Sequence, residues 1–128
     1  MPRLAPATRA ALVRARQEAE LWNHRAIGAA HLLLGLLREA PETVAALRRR
    51  GIGPRLLAAE VERDLAPGPC VVTEGRLGLD GGARRALRRA ADLARDRGES
   101  QVGPGALLEA VLLEGPVACA ARSLSQPA

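Results

Sequence analysis

The chain has 128 residues, with 19 arginines against 14 acidic residues for a formal charge of +5, no lysine, no phenylalanine or tyrosine, and a single tryptophan, Trp22. Without lysine there is no P-loop, whose phosphate cradle needs that side chain, and no Schiff-base or lysine general-base chemistry. An apolar content dominated by leucine and alanine, poor in β-branched and aromatic residues, predicts one all-α domain with an aliphatic core, large enough to bury roughly two thirds of its unfolded surface.

Pro6 suits the first turn of a helix that runs to about Trp22, with Ala11, Leu12, Ala15, Ala19 and Trp22 as its apolar stripe. Asn23 tolerates the left-handed conformation and stops it. Residues 24–28 connect to a second helix over Ala29–Glu39, whose buried face is Leu32, Leu33, Leu36 and Leu37. Pro41 opens a third helix to about Arg50, ended by Gly51. Pro54 opens a fourth to about Leu65, with Leu56, Leu57 and Val61 inward. Residues 66–78, which hold Pro67, Gly68, Pro69 and Gly75, read as a linker, with Val71 and Val72 as a stub of extended chain. Asp80 is an N-cap for the next helix, which runs to about Arg97 and stops at Gly98. Pro104 opens another, and Pro116 a short last helix through Val117, Ala120 and Leu124.

The chain repeats itself at an offset of 75 residues: laid over 79–114 without a gap, residues 4–39 are identical at 12 of 36 positions. Leu12, Ala15 and Ala19 fall on Leu87, Ala90 and Ala94; Gly28 falls on Gly103; Leu32, Leu33 and Leu37 fall on Leu107, Leu108 and Leu112. Small and apolar residues matched at helical spacing mark two copies of one helical unit, each covering the other's apolar face. Leu34 falls on Glu109 and is therefore expected to look toward solvent. The helix opened by Pro54 has no counterpart. The expectation is a pseudo-twofold tandem of a four-helix motif with a truncated second repeat, about seven helices in all. Repeat one spans about 4–65, the linker 66–78 and repeat two 79–126.

Gln17-Glu18-Ala19, Asn23-His24, Ile27-Gly28, the run from His31 to Leu37, and Leu79-Asp80-Gly81 carry a family likeness. Together with the duplication, they resemble the N-terminal Clp repeat domain of Clp unfoldases of the ClpA and ClpC type, over nearly the whole chain. The resemblance implies a non-catalytic docking module that captures substrates, adaptor proteins and cyclic-peptide ligands for two ATPase modules, here free-standing. Such a module would act as a regulator or decoy. The family's Thr-Glu pair ahead of the second helix's histidine is Ala29-Ala30 in one copy and Pro104-Gly105 in the other. A guanidinium-type ligand such as phosphoarginine thereby loses a charged hydrogen-bond partner worth ~1.5–3 kcal/mol. The family's aromatic residues near the start of each repeat are Leu4 and Leu79 here.

The resemblance further implies that peptide ligands lie near Leu4, Val13, Arg16, Leu79, Arg84, Leu87 and Arg88, an apolar patch rimmed by arginine. The plainer reading is that Leu4 and Leu79 staple their helices to the core. Arg84, Arg85, Arg88 and Arg89 form one cationic helix face, and Arg48, Arg49 and Arg50 a second cluster. Nucleic-acid association is the alternative function these raise, although acidic residues interrupt the field and no stacking aromatics accompany it. His24 and His31 read as structural, His31 packed in its helix and His24 bonded to nearby backbone, with no metal or cofactor site. The serines and threonines lack a nucleophile's setting. Cys70 and Cys119 read as free thiols, consistent with a cytoplasmic location. An apolar face left by the missing helix would suit a homodimer.

Overall fold

Four of the seven helices among the described residues begin on a proline, whose missing N–H falls where a helix has no partner for it. The computed structural model describes residues 3–63, 65 and 78–125. Its order is β1 (Arg3–Leu4), α1 (Pro6–Leu21), β2 (Ala26–Ile27), α2 (Ala29–Glu39), α3 (Pro41–Arg49), α4 (Pro54–Arg63), β3 (Gly78–Leu79), α5 (Gly81–Asp96), β4 (Gln101–Val102), α6 (Pro104–Val111) and α7 (Gly115–Ser125). Asn23, Gly51 and Gly98 take positive φ (56°, 77° and 71°) and end α1, α3 and α5 as expected. Asp80 caps α5 by accepting a hydrogen bond from the Ala83 N–H at 2.8 Å. The predicted linker and its Val71–Val72 stub lie outside the described residues, apart from Gly78. The last helix, expected to be short, runs 11 residues.

α2 is the axle of the fold. It packs on α1, α3, α4, α5, α6 and α7, so only its last turn, at Arg38 and Glu39, reaches solvent. A helix that is apolar all round belongs in such a place, and Leu32, Leu33, Leu34 and Leu36 are each at most 2% exposed. This corrects the expectation for Leu34, which followed Glu109 toward solvent: equivalence by repeat does not carry over burial when the neighbours differ. Leu56 corrects the other way. It points outward, 61% exposed, while Leu57 and Val61 carry the buried face of α4.

The α1–α2 contact is unusually close because of Gly35. A Cβ added there would sit 2.2 Å from the Ala11 carbonyl oxygen and 3.0 Å from the Ala15 nitrogen. Ala11, Ala15 and Ala19 supply the facing stripe, all fully buried.

Four two-residue strand stubs, unforeseen in the sequence, stitch the halves together. β1 pairs in parallel with β4, Leu4 opposite Val102; β2 pairs in parallel with β3, Ile27 opposite Leu79. These are one pairing written twice, since 4 and 79, and 27 and 102, differ by the repeat offset. The flanking bonds obey the same rule: Ala5 N–H donates to the Val102 carbonyl at 3.0 Å and Asp80 N–H to the Ile27 carbonyl at 2.9 Å. The chain leading into each repeat is thus held by the inter-helix turn of the other. That reciprocity is a near-dyad relation between the repeats.

Candidate peptide-binding surface

α1 and α5 carry five of the seven residues expected to meet a ligand, and both helices rest on α2 and α6. Val13 and Arg88 occupy equivalent positions 75 apart; Val13 is 58% exposed and Arg88 is exposed as well. Arg16 is exposed and ion-paired to Glu20 at 3.1 Å one turn on. Arg84 is exposed, while Leu87, like its equivalent Leu12, is half-buried against the core. Leu4 and Leu79 are half-buried in the strand stubs. They do join the halves, each keeping part of its side chain accessible. Among the described residues, no hydrogen bond or ion pair links Val13 or Arg16 on α1 to Arg84, Leu87 or Arg88 on α5.

The arginine face of α5 divides in two. Glu114, 6% exposed, receives Arg85 at 3.1 Å and Arg89 at 3.5 Å. Arg84 and Arg88 point to solvent, and Arg85, Arg88, Arg89 and Asp92 line a shallow cleft of about 190 Å³. Glu18 does the same for the other half: only 4% exposed, it lies 2.6 Å from Arg38 and 3.7 Å from Arg14. Arg97 grips Glu109 through two bonds of 2.6 and 3.0 Å. Those bonds hold the Glu109 carboxyl below its ordinary range and raise the Arg97 guanidinium. Much of the positive charge is therefore neutralised within the fold. Sequence reasoning missed Glu18 and Glu114, because a glutamate on a helix surface and one under a clasp of arginines read alike.

His31, 4% exposed, sits in the first turn of α2 and is fully engaged. Its Nδ1 accepts the Gly28 N–H at 2.8 Å, so that nitrogen carries no proton. Its Nε2 therefore donates to Nδ1 of His24, also at 2.8 Å, and His24 stacks on Trp22 with ring centroids 6.2 Å apart. His31 is packed and hydrogen-bonded in its helix as expected, and its ring is one partner of His24. Burial first, and then His24, push the His31 pKa down to about 4, partly opposed by Asp80. Gly28, Ala29, Ala30 and His31 form one wall of a cleft of about 300 Å³ closed by Asp80, Arg85 and Glu114.

Among the described residues, no three His, Cys, Asp or Glu side chains are placed to hold a metal ion. The Cys119 thiol is exposed and free, and Cys70 lies outside the described residues. No single described helix is long and apolar enough to cross a membrane.

Comparison with known proteins agrees with this architecture. The sequence pattern described as the Clp repeat (R) N-terminal domain matches residues 3–124. The fold is shared with the Hsp104 N-terminal domain from Candida albicans (TM-score 0.80, 12% identity, 98% of this chain and 83% of that one). It is also shared with the N-terminal domain of the chaperone ClpD from Arabidopsis thaliana (TM-score 0.72, 18% identity, 94% and 83%). A third likeness is to a structure from work on a malarial protein secretion system (TM-score 0.85, 13% identity, 95% and 84%). No curated protein matches the chain in sequence.

Proposed function

The chain belongs to the Clp repeat N-terminal domain family, and on that footing we propose that it is a non-catalytic binding module of the Clp protein-degradation system. Its ligands are adaptor proteins, substrate segments or peptide-like small molecules with apolar groups. The observation that supports this reading best is the pairing of Val13 with Arg16 on α1, and of Leu87 with Arg84 and Arg88 on α5. Accessible apolar and cationic side chains stand on two long helices that are rigidly seated on one α2–α6 core. Anchors held on rigid elements bind extended peptides with little ordering cost. Leu4 and Leu79 contribute apolar surface at the two repeat junctions.

Acting by itself, such a module would hold ligands without passing them to a motor, and so regulate or decoy a full unfoldase. Nucleic-acid association is the weaker reading, because the internal clasps on Glu18, Glu114 and Glu109 consume the field that phosphates need.

Calorimetric titration of the full chain with Clp adaptors, apolar acidic peptides and cyclic peptides tests the reading. Saturable binding weakened by Val13→Asp and by Arg88→Glu is expected. Silence across the panel, or binding indifferent to both substitutions, would overturn it. A shift of duplex DNA or RNA that vanishes steeply with added salt would favour the other reading.

A further inference from the structure

The arginine cluster at the end of α3 is split by its surroundings. Arg50 is paired with Glu109 at 3.7 Å. Arg48 stands one turn on from Val44, on the same face of α3, and both line a cleft between α3 and the first turn of α4. The cleft has a volume of about 500 Å³. Ile52, Pro54 and Leu56 add apolar surface to it, and Arg55 a second guanidinium.

Leu56, 61% exposed, leans over Gly53, where an added Cβ would meet its Cδ1 at 3.3 Å. Val44 is half-buried and Ile52 is only 5% exposed. A lone exposed leucine is ordinary on a protein surface, but one continuous with a valine and an isoleucine inside a concavity marks a binding patch. The charge in the cleft is one-sided. None of the described residues that line it carries a carboxylate. Arg48 and Arg55 are exposed and, unlike Arg50, make no hydrogen bond or ion pair among the described residues. Glu60, one turn on from Leu56, is held by Arg63.

We infer that this cleft takes a short acidic segment of a partner protein. A large apolar side chain of that segment sits between Val44, Ile52 and Leu56, and aspartate or glutamate beside it reaches Arg48 and Arg55. A guanidinium fork matches a carboxylate with two parallel bonds. The two α3 positions lie about 6 Å apart along the helix, so the cleft takes one or two side chains and not the face of a folded domain. Phosphates would also meet the arginines, but no aromatic residue lines the cleft for bases to stack on. A second copy would bring a like charge of +5 toward unpaired arginines. The cleft lies on α3 and α4, whereas the face proposed above lies on α1 and α5.

The test uses the full chain and two synthetic peptides, each with a pair of leucines, one flanked by glutamates and the other by lysines. Nuclear magnetic resonance titration should show saturable binding of the glutamate peptide, with shifts centred on Val44, Ile52 and Leu56. Leu56→Asp, and Arg48→Glu combined with Arg55→Glu, should each weaken it by ~10-fold or more. All three positions are exposed, so the variants keep the fold, as unchanged melting temperatures would show. Val13→Asp should leave the binding unchanged, which separates this cleft from the α1–α5 face. No saturable binding, equal binding of the lysine peptide, or shifts centred on α1 and α5 would each overturn the inference. So would concentration-dependent shifts of Leu56 without peptide, which would give the cleft to a second copy, or an equal response to a single-stranded DNA oligomer, which would give it to nucleic acid.

Discussion

Gly35→Ala should destabilise this protein, although the same change at a solvent-facing helix position stabilises by roughly 1 kcal/mol through helix propensity. The added methyl carbon would lie 2.2 Å from the Ala11 carbonyl oxygen and 3.2 Å from the Ala11 carbonyl carbon. Backbone carbonyls cannot rotate away as a side chain can, so α1 must retreat from α2 by about 1 Å. A gap of that size along a close-packed seam forfeits roughly a quarter to a half of each dispersion contact it opens. Here the seam includes Ala11, Ala15 and Ala19, all fully buried. Overpacking of this kind costs about 3 kcal/mol at the upper end of its usual range. Less the propensity gain, the net loss is about 2 kcal/mol, or a fall in Tm of roughly 6–10 °C for a domain of this size. Gly105→Ala, near the start of α6 where a Cβ meets nothing within 4 Å, is the control and should be neutral or stabilising. Calorimetric melting of both variants decides the matter. A Gly35→Ala protein that melts at or above the parent temperature would refute the close-approach argument.

Stability should fall as pH drops. His31 has a folded pKa of about 4 against an ordinary value of 6.5, so the unfolded chain binds the extra proton first. The loss begins near pH 6.5, continues to about pH 4 and amounts to about 3 kcal/mol. Urea unfolding across that window should show the slope, and His31→Gln should flatten it while lowering stability at neutral pH. Gly28 and Gly103 are matched by the repeat but not by their surroundings. A Cβ at Gly28 falls 2.8 Å from the Asp80 carboxylate that caps α5, whereas one at Gly103 meets nothing within 4 Å. Gly28→Ala should therefore melt several degrees below Gly103→Ala, and equal melting temperatures would contradict the geometry.

Helix limits were readable because the residues that set them act locally. Pro6, Pro41, Pro54 and Pro104 open helices through a fixed φ and an absent donor, and Asn23, Gly51 and Gly98 close them through a left-handed φ. The strand stubs were not readable, since two residues hold no periodicity and their partners lie 98 residues distant for β1 and β4 and 52 for β2 and β3. Of the expected ligand-facing residues, Val13, Arg16, Arg84 and Arg88 are exposed. The division of the α5 arginines between Glu114 and solvent depends on where α6 ends, which no local pattern states.

Two repeats of an aliphatic helical unit, their order and the family they belong to are properties of the linear chain, because spacing and composition survive without coordinates. Which faces those helices bury is not. Leu34 and Glu109 stand at equivalent positions, yet one is sealed within the bundle and the other borders an open groove. Burial belongs to the neighbours a residue acquires on folding, and the two repeats acquire different ones.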